Sequence, residues 1–168
     1  MNALSEQFEI RNLRAHSARE ELLRLNNASA RETSPLTAAR FKQLIDTAAV
    51  ALFIPPPAAL LLAFEPSNDY DGTHFGWFRG RMDRFLYVDR IVVGAAWRRH
   101  GMARTLYREV FRQAARRGLG RVCCEVNVEP PNPISDAFHD SLGFEEVGRA
   151  TMDGGAKTVR YLCSTLEA

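Results

Sequence analysis

The sequence predicts a single α/β domain built from about seven strands with helices packed against them. Its 168 residues are enough for one substantial hydrophobic core. Hydrophobic residues make up 46% of the chain and charged residues 25%, which are ordinary proportions for a globular protein. Apolar segments of strand length alternate with segments whose apolar residues recur at helical spacing. Because no repeat, low-complexity segment or interior linker interrupts this order, we expect one domain over residues 1–168.

The chain begins with a predicted strand and a predicted helix. Residues 8–14 alternate between polar and apolar side chains, which predicts a strand. Helical spacing follows as far as Asn27 in four apolar residues: Ala15, Ala18, Leu22 and Leu25.

A second helix and two strands come next. Ser34 and Pro35 are typical of a helix N-terminus. The apolar face of this helix would consist of four residues: Phe41, Leu44, Ile45 and Ala48. Residues 50–54 and 58–64 are apolar runs on either side of three prolines, and we expect them to form a pair of strands.

Residues 67–84 show neither a helical nor a strand period, which predicts a long loop. The segment mixes Asp, Asn and Gly with aromatic side chains: Tyr70, His74, Phe75, Trp77 and Phe78. Loops of this length inside a compact domain are often functional, so this one is a candidate for substrate recognition. The alternative is that Trp77 and Phe78 only cover the core from the surface.

Residues 85–118 are the most informative stretch of the chain. Residues 85–93 form an apolar run that predicts a strand, and Gly94 ends it. A basic segment then leads to Gly101, where a helix with a continuous apolar stripe begins: Ala103, Leu106, Tyr107, Val110, Phe111 and Ala114. Gly118 ends this helix. Further strands are predicted over residues 121–128, 145–152 and 158–165, the last two joined by a hairpin turn at Asp153-Gly154-Gly155.

The junction at Gly101 is suited to bind phosphate. The first backbone N–H groups of a helix have no partner within the helix and lie at the positive end of its dipole. Gly101 lets the backbone approach a ligand closely. Four basic residues add positive charge: Arg98, Arg99, His100 and Arg104. The sequence has neither the G-x-x-x-x-G-K-[ST] pattern of a P-loop nor the G-x-G-x-x-G pattern of a dinucleotide site, so both kinds of nucleotide site are disfavoured.

Two motifs in this region resemble one protein family. Arg98, Gly101 and Ala103 have the spacing of the R/Q-x-x-G-x-G/A pyrophosphate loop of the GCN5-related N-acetyltransferase (GNAT) family. Downstream, the segment from Asn132 to Phe144 reads NPISDAFHDSLGF and resembles the family's N-x-x-[AS]-x-x-F-Y-x-x-x-G-F helix. The resemblance is carried by motifs over residues 85–147. One departure is His139, which occupies the position of the family's tyrosine.

The resemblance implies the fold, the cosubstrate and the reaction. It implies a mixed, mostly antiparallel sheet with helices on both faces. It also implies transfer of an acetyl group from acetyl-CoA to a primary amine of a small molecule or peptide, by direct attack in a ternary complex. The acetyl-CoA contacts would be Ile91, Val92, Val93, Arg98, Arg99, His100, Gly101, Met102, Ala103, Arg104, Asn132 and His139. The alternatives are a catalytically silent acyl-CoA-binding or regulatory domain and, less favoured, a binder of another nucleotide.

The amine must lose a proton before it can attack, and two carboxylates are candidate bases. A lysine-like amine has a pKa near ~10.4, so a base has to take its proton directly or through water. The candidates are Glu125 in the strand before Asn132 and Asp89 in the strand before the phosphate loop. The alternative is that each belongs to a buried ion pair, with Arg90 or Arg160 as the partner of Glu125.

The remaining chemistry needs an oxyanion donor and a group near the leaving thiolate. In the family a backbone N–H of the cofactor strand stabilises the oxyanion, and the matching residues here are 91–93. His139 could be the proton donor to the thiolate, a contact to the pantetheine arm, or neither. Asn132 precedes Pro133 and is a suitable N-cap for the following helix. The resemblance also makes its side chain a contact to CoA.

Composition limits the partners and the compartment. The 22 basic and 20 acidic residues leave a net charge of +2, which offers no broad basic surface for nucleic acid or acidic membranes. Residues 48–64 are apolar but interrupted by three prolines, so they do not predict a membrane span. Residues 1–13 carry charges where a signal peptide needs an apolar core, so we expect a cytoplasmic protein. A homodimer is compatible with the sequence, which fixes neither the oligomeric state nor the acceptor.

The cysteines predict neither a disulfide framework nor a metal site. Cys123, Cys124 and Cys163 are odd in number and form no C-x-x-C pattern. We expect all three to be buried in strands as small hydrophobic residues.

Overall fold

The computed structural model describes residues 8–17, 19–29 and 33–166, and Ala18 of the first predicted helix lies outside them. In the part of the chain that the structure describes, seven strands form: β1 (Arg11–Asn12), β2 (Val50–Ile54), β3 (Ala59–Phe64), β4 (Leu86–Val93), β5 (Arg121–Glu129), β6 (Glu145–Met152) and β7 (Lys157–Thr165). Within these described residues, the α-helices are α1 (Arg19–Ala28), α2 (Ala38–Thr47), α3 (Thr73–Arg79), α4 (Met102–Arg116) and α5 (Pro133–Asp140).

All seven strands form one mixed sheet in the order β1-β2-β3-β4-β5-β7-β6. Strands β4 and β5 are parallel, and every other neighbouring pair is antiparallel. The helix α4 makes the crossover between the two parallel strands, as a parallel pair requires. This arrangement confirms the predicted seven-stranded, mostly antiparallel sheet.

Helices cover both faces of the sheet, and each face has its own apolar core. Leu22, Phe41 and Phe75 represent the core under α1, α2 and α3, and each is at most 2% exposed. Leu106 and Val110 of α4 are fully buried in the second core. The three cysteines are buried in β5 and β7, as predicted.

The first strand is shorter than predicted. Among residues 8–14, which the structure describes, only Arg11 and Asn12 pair with β2, and a 3-10 turn follows over Leu13–Ala15. The side chain of Asn12 accepts a hydrogen bond from the backbone N–H of Arg14 at 2.9 Å. This local hydrogen bond favours the turn over a continued strand.

The second helix begins at Ala38, with Thr37 as its N-cap, so the prediction of a start at Ser34 and Pro35 was wrong. The side-chain amide of Asn27 in α1 pairs with both backbone groups of Leu36, each at 2.9 Å. These two hydrogen bonds hold the segment before Thr37 in a non-helical conformation against α1.

The predicted loop over residues 67–84 contains a helix, α3, which corrects the sequence interpretation. Phe75 and Phe78 are three residues apart, so they lie on one face of this seven-residue helix, and both are fully buried. Trp77 stacks on Tyr161 of β7 with ring centroids 4.1 Å apart. Core packing therefore explains these aromatic side chains, and a role of the segment in substrate recognition stays a prediction.

Candidate active site

The sheet opens into a cleft between its two parallel strands. Strands β4 and β5 pair only at Leu86 with Val122 and Tyr87 with Cys123. Beyond Tyr87 and Cys123 the strands diverge, and we call this gap the cleft. It lies between two strands that each keep an antiparallel neighbour on the other side.

A β-bulge in β4 adjoins the opening. Ala63 of β3 is paired with Val88, but its neighbour Leu62 is paired with Arg90, so Asp89 is an extra residue on β4. The bulge brings Asp89 and Arg90 onto the same face of the sheet, where their side chains form an ion pair at 2.9 Å. Regular alternation would have placed these neighbours on opposite faces.

Two adjoining cavities fill the cleft region. The first has a volume of about 110 Å³ and reaches Tyr107 of α4 and His139 of α5. The second has a volume of about 320 Å³ and reaches Tyr70 and His74 on the other side of the sheet. Six residues line both cavities: Thr33, Asp89, Arg90, Glu125, Asn127 and Lys157. The structure thus places both predicted candidate bases where the cavities meet.

Glu125 is a partly buried carboxyl whose hydrogen-bond partner is a tyrosine. It accepts a hydrogen bond from the hydroxyl of Tyr87 at 2.6 Å. Burial raises the pKa of Glu125 to about 8, although the Tyr87 hydrogen bond acts in the opposite direction. The alternative that Arg90 or Arg160 forms an ion pair with Glu125 is not what the structure has, because Arg90 pairs with Asp89 and Arg160 pairs with Asp136.

Asp89 has partners at both of its carboxylate oxygens. The hydroxyl of Tyr70 donates to Oδ1 at 2.5 Å, and Nε of Arg90 donates to Oδ2 at 2.9 Å. Arg90 also donates to the side-chain oxygen of Asn26 in α1 at 2.9 Å. The Asp89 side chain is 9% exposed. This geometry is typical of a buried ion pair that ties β4 to α1.

The predicted phosphate loop is an exposed turn that ends at a helix N-terminus. Residues 95–101 are exposed, and Gly101 has a φ of 83° immediately before α4 begins at Met102. No side chain caps this helix end. A Cβ built on Gly101 would meet no atom within 4 Å, so open space lies in front of the first turn. The side chain of Met102 is buried, which leaves only its backbone to contact a ligand.

Arg104 lies in the first turn of α4, next to the predicted phosphate loop, and contacts the residue that follows α5. Its guanidinium donates to Oγ of Ser141 at 2.8 Å. Arg98, Arg99 and His100 are exposed beside the start of α4. These three basic residues are therefore directed to solvent, whereas the side chain of Arg104 is hydrogen-bonded to Ser141.

Helix α5 presents the second motif to the cleft. The side-chain oxygen of Asn132 accepts from the N–H of Ser135 at 3.2 Å, and Pro133 is the first helical residue, so the predicted cap is confirmed. His139 is 4% exposed. Its Nδ1 lies 2.8 Å from the carbonyl oxygen of Ser135, and its Nε2 lies 2.8 Å from the hydroxyl of Tyr107. Burial lowers the pKa of His139.

Three tyrosines of the site were not predicted as site residues. Tyr70, Tyr87 and Tyr107 each place a hydroxyl on a predicted candidate: Asp89, Glu125 and His139. In the sequence Tyr107 is only one member of the apolar stripe of α4. Their spacing from their partners, between 19 and 38 residues, carries no local signal.

No helix in residues 8–17, 19–29 and 33–166 is long and apolar enough to cross a membrane.

Solved structures of acetyltransferases are similar to the whole chain. The ribosomal-protein-S18-alanine N-acetyltransferase from Escherichia coli aligns with a TM-score of 0.66 and 15% identity over 95% of this chain and 94% of that one. A putative phosphinothricin N-acetyltransferase aligns with a TM-score of 0.71 and 19% identity over 96% and 99%. An aminoglycoside 6'-N-acetyltransferase complexed with coenzyme A aligns with a TM-score of 0.68 and 13% identity over 94% and 96%. At these identities the likeness shows a common fold.

A comparison with curated protein sequences finds no match. The acetyltransferase (GNAT) family profile, by contrast, matches residues 19–144, which include β4, the phosphate loop, β5 and α5. The match covers most of the chain, and the acetyltransferase structures share its fold. The protein therefore belongs to the GNAT family of acetyltransferases.

Proposed function

We propose that the protein transfers an acetyl group from acetyl-CoA to a primary amine of a small molecule or peptide, by direct attack in a ternary complex. The observation that carries this proposal is the position of Glu125, whose pKa is raised to about 8 and which lines both cavities. A base at that point could serve an amine in the larger cavity and a thioester in the smaller one.

The phosphate loop fits the pyrophosphate of acetyl-CoA. The uncapped N-terminus of α4 offers backbone N–H groups at Met102 and Ala103, and Gly101 leaves open space before them. The exposed Arg98, Arg99 and His100 add positive charge for a phosphorylated ligand. The pantetheine arm would then follow the cleft toward Asn132 and His139. The aminoglycoside 6'-N-acetyltransferase of similar fold is complexed with coenzyme A, which supports this assignment.

The raised pKa makes Glu125 a far stronger base than an ordinary carboxylate. Moving a proton from an ammonium of pKa ~10.4 to a group of pKa about 8 is uphill by about 3 kcal/mol. The same transfer to a glutamate carboxyl at its ordinary pKa of 4.5 is uphill by about 8 kcal/mol. Asp89 is the weaker candidate because Tyr70 and Arg90 already occupy both of its oxygens. We therefore assign the base to Glu125 and a structural role to Asp89.

The oxyanion formed at the thioester carbonyl needs a fixed donor. We assign this role to backbone N–H groups of residues 91–93, because this part of β4 borders the cleft and has no pairing with β5. The backbone is fixed by its pairing with β3, so such a donor would be preorganised.

The test is turnover by the parent protein and by Glu125→Gln. Amines of several classes are screened by thiol release from acetyl-CoA, and the best acceptor is used for both proteins. The substitution should keep acetyl-CoA affinity and lower turnover by roughly 10² to 10⁴, with partial recovery at high pH where the free amine is abundant.

The second candidate is a silent acyl-CoA-binding domain, because His139 replaces the tyrosine of the family. The same assay separates this candidate from the enzyme. Stabilisation by acetyl-CoA without thiol release to any amine would favour the silent domain. Unchanged turnover in Glu125→Gln would remove this residue from the mechanism.

A further inference from the structure

Lys157 is a cationic residue at the place where the two cavities meet. It is the first residue of β7, it is partly buried, and it lines both cavities. Within residues 8–17, 19–29 and 33–166 its ammonium forms neither an ion pair nor a hydrogen bond. The proposed function gives no role to this charge.

The strand register puts Lys157 on the same face of the sheet as Glu125. Cys123 of β5 and Val159 of β7 both belong to the core under α1, α2 and α3. Glu125 lies two residues after Cys123, and side chains two residues apart on a strand share a face. Lys157 lies two residues before Val159 and shares that face as well. The cation and the proposed base therefore border the larger cavity from the same side of the sheet.

The other ionisable side chains of the larger cavity do not compensate the charge of Lys157. Asp89 and Arg90 form an ion pair, so together they add no net charge. Glu125 has a pKa of about 8 and is mostly protonated near pH 7. Burial lowers the pKa of His74, and the charge of Lys157 lowers it further, so this imidazole is neutral. The walls of the cavity thus carry a net positive charge near neutral pH.

A positive cavity selects among amines. A free amine acceptor arrives mainly as an ammonium ion near pH 7, so Lys157 repels it unless the same molecule also brings a negative group. A single ammonium in the wall matches the single charge of a carboxylate, whereas a phosphate monoester carries close to two charges. The cavity volume of about 320 Å³ lies near the lower end of the range for small-molecule sites, about 300 to 1,000 Å³.

We propose that the acceptor is a small amino acid whose carboxylate pairs with Lys157 while its amine lies beside Glu125. This inference rests on the proposed acetyl transfer and names the acceptor class for it. Asn127 also lines both cavities, and its side chain has no hydrogen bond to the residues that the structure describes. Its amide N–H groups are available to donate to the same carboxylate.

The carboxylate takes no part in the bond changes of the reaction. The amine nitrogen bonds to the acetyl carbon, and the C–S bond breaks with its electron pair on sulfur. The ammonium form of the acceptor gives up two protons, of which one is bound by the CoA thiol and the other goes to solvent. The products are an N-acetyl amino acid and CoA.

The test compares amino acids with their carboxamides as acceptors. Thiol release from acetyl-CoA gives kcat/KM for both members of each pair, with the parent and with Lys157→Met. Methionine keeps an unbranched side chain but has no charge. The ratio of the carboxylate to the carboxamide should fall about 5-fold to 50-fold in Lys157→Met. Because the same pair of acceptors is used for both proteins, differences in amine basicity cancel.

The other lysine of the chain provides a matched control. Lys42 lies on α2, pairs with Asp46 of the same helix and lines neither of the two cavities. Lys42→Met should keep the ratio of the parent. Lys157→Glu should reverse the preference, so that a diamine of the same length becomes a better acceptor than the amino acid. Thermal unfolding shows whether each variant is folded at the assay temperature.

A ratio in folded Lys157→Met within about twofold of the parent's overturns the inference, as does a parent that prefers carboxamides or diamines to amino acids. If the parent acetylates no amine, the proposed function fails, and binding decides instead. Amino acids that raise the Tm of the CoA-bound parent but not of CoA-bound Lys157→Met would support the inference. The absence of such a rise in the parent would overturn it.

Discussion

Replacing Gly101 tests the phosphate loop, on which the cofactor assignment depends. At about 100 times its dissociation constant, acetyl-CoA should stabilise the parent by ~2.7 kcal/mol, which raises Tm by roughly 5 to 10 °C in a domain of this size. Valine at position 101 would project into the open space before α4, where the pyrophosphate is expected. We therefore expect Gly101→Val to lose the acetyl-CoA shift.

The substitution also has a cost that is independent of the ligand. Gly101 has a φ of 83°, a conformation that strains a β-branched residue by about 1 to 2 kcal/mol. The strain alone should lower Tm by about 2 to 8 °C with or without ligand. Since a Cβ at this position meets no protein atom within 4 Å, the variant should remain folded.

Gly154 provides a matched control. It lies in the turn between β6 and β7 with a φ of 65°, and a Cβ there also meets no atom within 4 Å. Gly154→Val should therefore lower Tm by a similar amount but keep the full acetyl-CoA shift. Differential scanning fluorimetry with and without acetyl-CoA measures both quantities, and circular dichroism checks the fold. A full shift in Gly101→Val would show that the loop does not bind the pyrophosphate.

Two further predictions concern the carboxyls of the cleft. The pKa of Glu125 is about 8 in the folded protein against an ordinary value of 4.5, so its contribution to stability is complete below about pH 4.5 and is lost as the pH rises through 8. Glutamine does not titrate, so the free energy of unfolding of Glu125→Gln minus that of the parent should increase as the pH rises, by at most about 5 kcal/mol. Denaturant titrations at about pH 5, 7 and 9 measure this difference. Asp89→Asn leaves Arg90 without its carboxylate and should lower the free energy of unfolding by about 3 to 5 kcal/mol at about pH 7, whereas a loss within about 0.5 kcal/mol would contradict the buried ion pair.

The strands were predictable because their signals are local. The strands predicted over residues 50–54 and 145–152 match β2 and β6 at both ends, and the glycine-rich turn before β7 marks the last hairpin. The α3 helix was missed because two buried phenylalanines three residues apart are a weak periodic signal in a segment rich in glycine and aspartate. Its formation depends on packing against the sheet, which no local pattern encodes.

The site was only partly predictable for a related reason. Alternation along β5 correctly separates Cys123 and Cys124 into the two cores, and Glu125 was a candidate because a mid-strand carboxyl is costly to bury. Its partner was not predictable. The sequence offered a charged partner as one alternative, whereas the partner in the structure is the neutral hydroxyl of Tyr87, 38 residues away in sequence. A neutral partner leaves the raised pKa in place, whereas an arginine would have lowered it.

The bulge at Asp89 links these observations. Without the extra residue, Asp89 and Arg90 would face opposite sides of the sheet, and the carboxylate would lose the guanidinium that neutralises it. Asp89 would then compete with Glu125 as a second free base in the same cavity. Because the bulge places Arg90 beside Asp89, the carboxylate of Asp89 is bound to a cation. The carboxyl of Glu125 is bound to the hydroxyl of Tyr87 instead. The insertion of one residue in β4 thus accounts for the separate roles that we assign to the two carboxyls.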